Sequence, residues 1–298
     1  MDVSIIIRTY NESRWLVEVL EAIAGQTSDV LHETIIVDSG STDDTLIIAE
    51  RHGCRVEHIS KPEFTFGRSL NVGCAAARGN VLVFLSGHCI PAVHDWLERL
   101  IEPVVNGTVA YSYGRQMGKE GVSRFSEQML FEKYFPDQSQ LPQEGFFCNN
   151  ANAALAAGVW RDHPFDEEVT GLEDIALAKN LVANEMAIGY VAEAPVIHIH
   201  EETWAQVKNR YEREAIAMQL IMPDIYFGFF DFLWFTAAGI GLDIKDALRR
   251  DELPGMGRIA VWPEIALFRY HQYWGTYRGS TASLRLSKLQ KQKYYYPR

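Results

Sequence analysis

Three runs of nearly unbroken aliphatic and β-branched residues constrain this chain most: Ser4–Thr9 (SIIIRT), Thr34–Val37 (TIIV) and Asn80–Leu85 (NVLVFL). A half-exposed strand alternates apolar and polar residues, whereas an unbroken run reads as a strand covered on both faces. A further strand is expected at Cys54–Ile59. Between these runs the apolar residues fall at helical spacing, over Trp15–Ala24 and Ser69–Ala77, with another helix opening at Thr42 as its cap and Asp43 and Asp44 in its first turn. Strands alternating with helices predict an α/β fold: a mostly parallel sheet flanked by helices. Such sheets bind ligands beyond the carboxyl ends of their strands, where Thr9–Glu12, Asp38–Ser41 and Ser86–His88 lie.

Beyond residue 100 the pattern loosens. Strands are expected at Val109–Tyr113, Phe146–Leu155 and Gly189–His198, and helices at Ser123–Phe135, Asp174–Asn184 and Trp204–Leu220, the last ended by Pro223. The expected organisation is one domain over 1–215, with a nucleotide-binding half to about residue 100 and an acceptor half after it. A helical, aromatic and finally basic region over 216–298 follows.

With a net charge of −11, the chain lacks the excess of cations that phosphate-backbone binding needs, so nucleic acid is excluded as a general partner. The charge is uneven. From Ile265 onward there are seven cations (Arg269, Arg278, Arg285, Lys288, Lys291, Lys293, Arg298) and no carboxylate side chain. A basic, aromatic end suits an anionic membrane surface, and equally a solvated helix. The four cysteines form no CxxC pair, which favours a reducing compartment. Met1–Ile5 has no basic segment, so no signal peptide is expected. Ile225–Gly241 is strongly apolar but shorter than the about 20 residues of a spanning helix, and Asp231 interrupts it; a buried or interfacial helix is expected.

Two clusters carry the chemistry. Arg8-Thr9-Tyr10-Asn11-Glu12-Ser13 follows the first strand, and Asp38-Ser39-Gly40-Ser41-Thr42-Asp43-Asp44-Thr45 follows the second. Either alone is a turn into a helix; carboxylates at strand ends can also accept from base or ribose, and N–H groups at a helix start favour phosphate. Neither GxGxxG nor GxxxxGK[ST] is present. Together the clusters resemble glycosyltransferase family 2, of GT-A fold and bacterial cell-surface polysaccharide type. That family opens with SIIIxTYNE and continues with IIVDxGSTDxT some thirty residues on. The resemblance runs on through Phe66-Gly67-Arg68-Ser69-Leu70-Asn71-Val72-Gly73, Gly171-Leu172-Glu173-Asp174 and His198/His200, over roughly residues 3–215.

The resemblance implies a nucleotide-diphospho-sugar donor and the following roles. Asp38 binds the donor nucleoside, with Thr9 and Glu12 lining the same pocket. Arg68 meets phosphate or nucleoside, or is a surface cation. Asp174 is the base that takes the acceptor proton, and Glu173 holds the acceptor. The departure lies after the fourth strand, where the family places Asp-x-Asp for a divalent ion and this chain has Ser86-Gly87-His88. Imidazole can bind Mn²⁺ and similar ions. His88 is therefore read as a metal ligand, as a cation on the diphosphate, or as structural. His200 is the expected second ligand and His198 the alternate, both on one face of a strand end. Asn150, in Asn149-Asn150-Ala151-Asn152, is a candidate contact to donor sugar hydroxyls, and Lys208 or Arg210 to the diphosphate.

The resulting expectation is an inverting glycosyltransferase (a hexosyl- or deoxyhexosyltransferase) dependent on Mn²⁺ or Mg²⁺. Its acceptor would be a glycan or lipid-linked hydroxyl, and its place the cytoplasm, peripheral at the inner face of the membrane, with homo-oligomerisation open. The rival from another class is a catalytically inert relative that binds nucleotide sugar or glycan. A nucleotidyltransferase ranks below both, because Ser4–Ser13 contains no glycine for a phosphate loop.

Overall fold

The computed structural model describes residues 2–27, 29–250, 259–283 and 294–295. The chain divides into two compact units: residues 1–119, 134–169 and 173–199, and residues 120–133, 170–172 and 200–298. The helix Trp204–Ile221, which spans the boundary expected at residue 215, belongs to the second unit.

The first unit is organised by one eight-stranded sheet. Its strands are β1 (Val3–Thr9), β2 (His32–Asp38), β3 (Arg55–His58), β4 (Val81–Ser86), β5 (Cys89–Pro91), β6 (Tyr111–Gly118), β7 (Asn152–Ala156) and β8 (Ile188–His198), in the order β3-β2-β1-β4-β7-β6-β8-β5. The first four pair in parallel, as the apolar runs require; β7 runs antiparallel to β4 and β6, β8 is parallel to β6, and β5 antiparallel to β8. Helices α1 (Ser13–Ala24), α2 (Thr45–Arg51), α3 (Phe66–Ala76), α4 (Trp96–Val105), α6 (Ala157–Asp162) and α7 (Glu173–Ala183) accompany it, while α5 (Phe125–Tyr134) falls mainly in the second unit. Ile5, Ile7, Val83 and Leu85 are buried against Leu16, Trp96, Leu97 and Leu100.

Register places the site. Thr9 pairs with Asp38 and Arg8 with Ser86, so the ends of β1, β2 and β4 form one edge. Asn152 opens β7 opposite Leu85, which brings the turn before β7 to the same edge.

Three local expectations are corrected. The expected strand Phe146–Leu155 begins only at Asn152, because Asn149 folds back to accept from the Ala151 N–H at 2.9 Å and makes a turn. Thr42 does not cap α2; its N–H donates to Asn11 Oδ1 at 2.8 Å, and the helix starts at Thr45 after Asp44. Asp43 instead accepts from Thr45 Oγ1 at 2.5 Å and the Ser13 N–H at 3.1 Å. Helix α4 was not among the expected elements, although Trp96, Leu97, Leu100, Ile101 and Val104 recur at helical spacing and are buried.

The second unit, where described, holds most of α5 with α8 (Trp204–Ile221), α9 (Phe229–Arg249) and α10 (Trp262–Ser280). Phe125, Met129, Ala247 and Ile265 form its small core. Gly275 and Gly279 of α10 lie against the α8 backbone; a Cβ at either would come within 2.4 Å of Lys208 O or 2.2 Å of Glu212 O. The apolar stretch from Ile225 becomes a helix only at Phe229, and Asp231 accepts from the Gly228 N–H at 2.8 Å as part of the helix start. No helix among the described residues is long and apolar enough to cross a membrane. Of the basic run, Arg285, Lys288, Lys291, Lys293 and Arg298 lie outside the described residues.

Candidate active site

At the β1–β2 end, Asp38 is buried and its carboxylate is fully engaged. Oδ1 accepts from Thr9 Oγ1 (3.0 Å) and Ser41 Oγ (2.5 Å); Oδ2 accepts from the Gly40 and Ser41 N–H groups (2.8 and 2.9 Å). Four acceptor positions are the full complement of a carboxylate. Asp38 therefore shapes the loop Ser39–Ser41. Asn11, at φ 58°, locks this loop to the β1 end: its N–H donates to Ser41 Oγ at 2.9 Å.

Glu12 is placed differently from Thr9. Its N–H donates to Thr45 Oγ1 at 2.8 Å, and its side chain crosses Gly87, where a Cβ would lie 2.9 Å from Glu12 Cγ. The carboxylate oxygens lie 3.1 and 3.2 Å from His88 Nδ1. Glu12 is thus the partner of His88. The His88 ring stacks on His198 at 5.2 Å between centroids, and His198 Nδ1 lies 2.7 Å from Gln116 Oε1. Arg68 lies in the first turn of α3, where its N–H donates to Oγ1 of the capping Thr65, and its guanidinium is half exposed, 3.9 Å from Glu63.

β8 ends at His198, so strand alternation does not itself set the direction of His200. His200 belongs to the second unit, where its Nδ1 lies 2.7 Å from Glu127. Burial alone would raise the Glu127 carboxyl, but the adjoining His200 and Arg210 overcome this and hold it at about 2. Lys208 and Arg210 are committed there as well: Lys208 to Glu212 at 2.7 Å, Arg210 to Glu127 at 2.9 Å and Glu202 at 2.8 Å.

Glu173 and Asp174 open α7 and are both buried. Asp174 Oδ2 accepts from the Asn150 N–H at 2.9 Å, and Arg8 Nη1 donates to Glu173 Oε1 at 2.8 Å and to Phe66 O at 3.1 Å. Burial, then the Glu173 charge, pushes the Asp174 carboxyl up to about 7, against the Asn150 and Ile175 N–H groups and Arg8. A carboxylate near 7 is poised to accept a proton at neutral pH.

Register and hydrogen bonds therefore bring Thr9, Glu12, Asp38, His88, Asn150, Glu173, Asp174 and His198 to one region of the first unit. Sequence reasoning missed Arg8, Gln116 and Tyr111, whose hydroxyl donates to Asn150 Oδ1. Arg8 left a signal, a cation closing a buried strand; Gln116 and Tyr111 left none, because their partners are distant in sequence.

Residues 4–161 match the family described as "Glycosyl transferase family 2". The O-antigen chain rhamnosyltransferase WbaN of Salmonella anatum is 30% identical over 222 residues, 70% of this chain and 69% of that protein. RfbN of Salmonella typhimurium, with the same description, is 27% identical over 223 residues, 71% of this chain and 70% of that one. Among solved structures, the mannosyltransferase PcManGT of Pyrobaculum calidifontis, in complex with GDP-Man and Mn²⁺, aligns at TM-score 0.61 and 18% identity over 93% of this chain and 83% of that one. Glucosyl-3-phosphoglycerate synthase of Mycobacterium tuberculosis aligns at TM-score 0.55 and 22% identity, over 74% and 79%. With its GT-A fold and the family's residues gathered at one sheet edge, the chain belongs to glycosyl transferase family 2, among glycosyltransferases of the bacterial polysaccharide type.

Proposed function

We propose that the protein is an inverting glycosyltransferase that moves a sugar, a deoxyhexose such as rhamnose, from a nucleoside diphosphate to a hydroxyl of a glycan or lipid-linked acceptor in cell-surface polysaccharide assembly. The carrying observation is Asp174: buried, held by the Asn150 N–H, and pushed up to about 7. The sugar class follows the rhamnosyltransferase relatives.

In this reading the loop shaped by Asp38 and Thr9 receives the nucleoside. The acceptor oxygen attacks the anomeric carbon as its proton passes to Asp174; the bond from that carbon to the diphosphate oxygen breaks, and the nucleoside diphosphate leaves with the electron pair. Glu173, neutralised by Arg8, orders the acceptor side. The paired imidazoles of His88 and His198 are a nitrogen donor set that fits Mn²⁺ and similar ions, and suits Mg²⁺ less. A divalent cation held there would neutralise diphosphate charge. Glu12 and Gln116 fix the two rings through Nδ1, as second-layer partners of metal-binding imidazoles do. His200, the second ligand expected from the sequence, has its Nδ1 2.7 Å from Glu127.

The test combines turnover and binding. Purified protein is assayed with a nucleoside diphospho-rhamnose, UDP-glucose and GDP-mannose, for transfer and for calorimetric binding. Asp174→Asn should cost roughly 10²–10⁴-fold in turnover while leaving donor affinity within a few-fold. Equal turnover in both proteins would remove Asp174 as the base, and would favour the inert binding relative if neither protein turns over.

A further inference from the structure

The three asparagines before and within β7 divide by what their side chains do. Asn152 is fully used: Oδ1 accepts from Trp96 Nε1 at 2.9 Å, and Nδ2 donates to Ala194 O at 2.8 Å and Arg115 O at 3.2 Å. Asn149 closes its own turn through the Ala151 N–H. Asn150 is buried, 3% exposed, yet its Nδ2 has no hydrogen-bond partner among the described residues. A buried amide donor left unused costs about 1–3 kcal/mol.

The surroundings of Asn150 say what this donor is for. Its N–H donates to the Asp174 carboxylate at 2.9 Å, and Tyr111 Oη, wholly buried on β6, donates to its Oδ1. With the carbonyl oxygen fixed by Tyr111, the amide's orientation is set and the NH₂ group is turned away from that hydroxyl. The turn is tied to the end of β4, where the Ser86 N–H donates to Ala151 O at 3.2 Å. The unused donor thus belongs to a residue whose turn is tied on one side to Ser86 and on the other to Asp174.

We infer that Asn150 Nδ2 donates a hydrogen bond to a hydroxyl of the transferred sugar, and that Tyr111 is a positioning residue that aims it. This rests on the nucleotide-sugar reading above and adds which group of the protein reads the sugar. The same residue holds the base through its main chain, so recognising the sugar and registering it against Asp174 become one event. A buried donor that meets its oxygen only in the right sugar discriminates more strongly than an apolar wall does, because the wrong sugar leaves it unpaired.

The experiment measures binding by calorimetry for whichever of nucleoside diphospho-rhamnose, UDP-glucose and GDP-mannose binds, and for its single-deoxy sugar analogues. It uses wild type, Asn150→Ala and Tyr111→Phe, each checked for folding by thermal melt. In wild type, one analogue should bind roughly tenfold more weakly than the parent. In Asn150→Ala the parent should lose about the same factor, and that analogue should lose nothing further. Tyr111→Phe, which keeps the amide but releases it, should halve the discrimination or more and raise the donor KM with a smaller change in kcat. Equal discrimination in wild type and both variants overturns the inference; if Asn150→Ala does not fold, the Tyr111→Phe series decides alone. Failure of every nucleotide sugar to bind wild type overturns the functional reading itself, whereas binding and transfer without this coupling overturn only the role of Asn150.

Discussion

The ionisation of Asp174 is where stability and function oppose each other. Its carboxyl sits at about 7 in the folded protein, against about 3.9 for an unperturbed Asp. The folded state therefore binds more protons than the unfolded state between these values, and the contribution of this group to stability falls as pH rises across that window and is flat above it. Measured as the difference in urea midpoint, Asp174→Asn should gain on wild type from pH 4 to pH 7 and hold a constant gap above; a gap independent of pH would show the group is not raised. Catalysis has the opposite sign, since the base must be ionised, so turnover should rise with an apparent pKa near 7. Arg8 opposes the shift, standing 2.8 Å from Glu173. Arg8→Gln should move the acidic limb of the pH–rate profile upward by roughly one unit. An unmoved limb would separate Arg8 from the ionisation.

Among elements, α5, α9 and α10 are joined by one buried ion pair. Arg269 meets Asp243 through Nε and Nη2, each at 2.7 Å, and Ser126 Oγ adds a bond to Asp243 at 2.6 Å. Removing one partner strands a buried charge, whereas exchanging both for apolar groups of similar volume need not. Arg269→Met should cost about 3–5 kcal/mol by denaturant unfolding, and Asp243→Leu with Arg269→Met should recover most of it. If the double variant is no better than the single, the pair is not what joins these helices. This pair also marks the border of what the sequence could convey. Strands β1, β2 and β4 were legible because burial on both faces writes itself as a local run of Ile, Val and Leu, and the strand-end clusters came with them. Contacts such as Tyr111–Asn150, His198–Gln116 and Asp243–Arg269 join residues 26 to 82 positions apart, and no local pattern encodes them. The turn before β7 failed for a different reason: Asn149 offers its own carbonyl to the backbone, a local competition that apolar content does not reveal.

For the molecule as a whole, the question is what covers the outer face of α9. Phe230 is 84% exposed and Trp234 71%, with Leu233 and Leu242 also exposed at helical spacing, while Phe232, Gly239, Asp243 and Ala247 face inward. Exposing such a stripe to water is costly, since each large side chain forgoes about 1.5–3 kcal/mol of burial. At a lipid interface the rings and leucines would enter the acyl boundary, and Lys245 and Arg249 at the far end of the same helix would meet anionic headgroups. The net charge of −11 opposes approach to an anionic surface, so attachment should depend on the apolar stripe more than on charge. Flotation with vesicles of phosphatidylcholine and phosphatidylglycerol should carry the protein upward, and Phe230→Ser with Trp234→Ser should reduce the floated fraction severalfold without changing turnover on a soluble acceptor. A wild type that stays at the bottom of the gradient would leave the stripe to a protein partner, and sedimentation would then show whether that partner is a second copy of the chain.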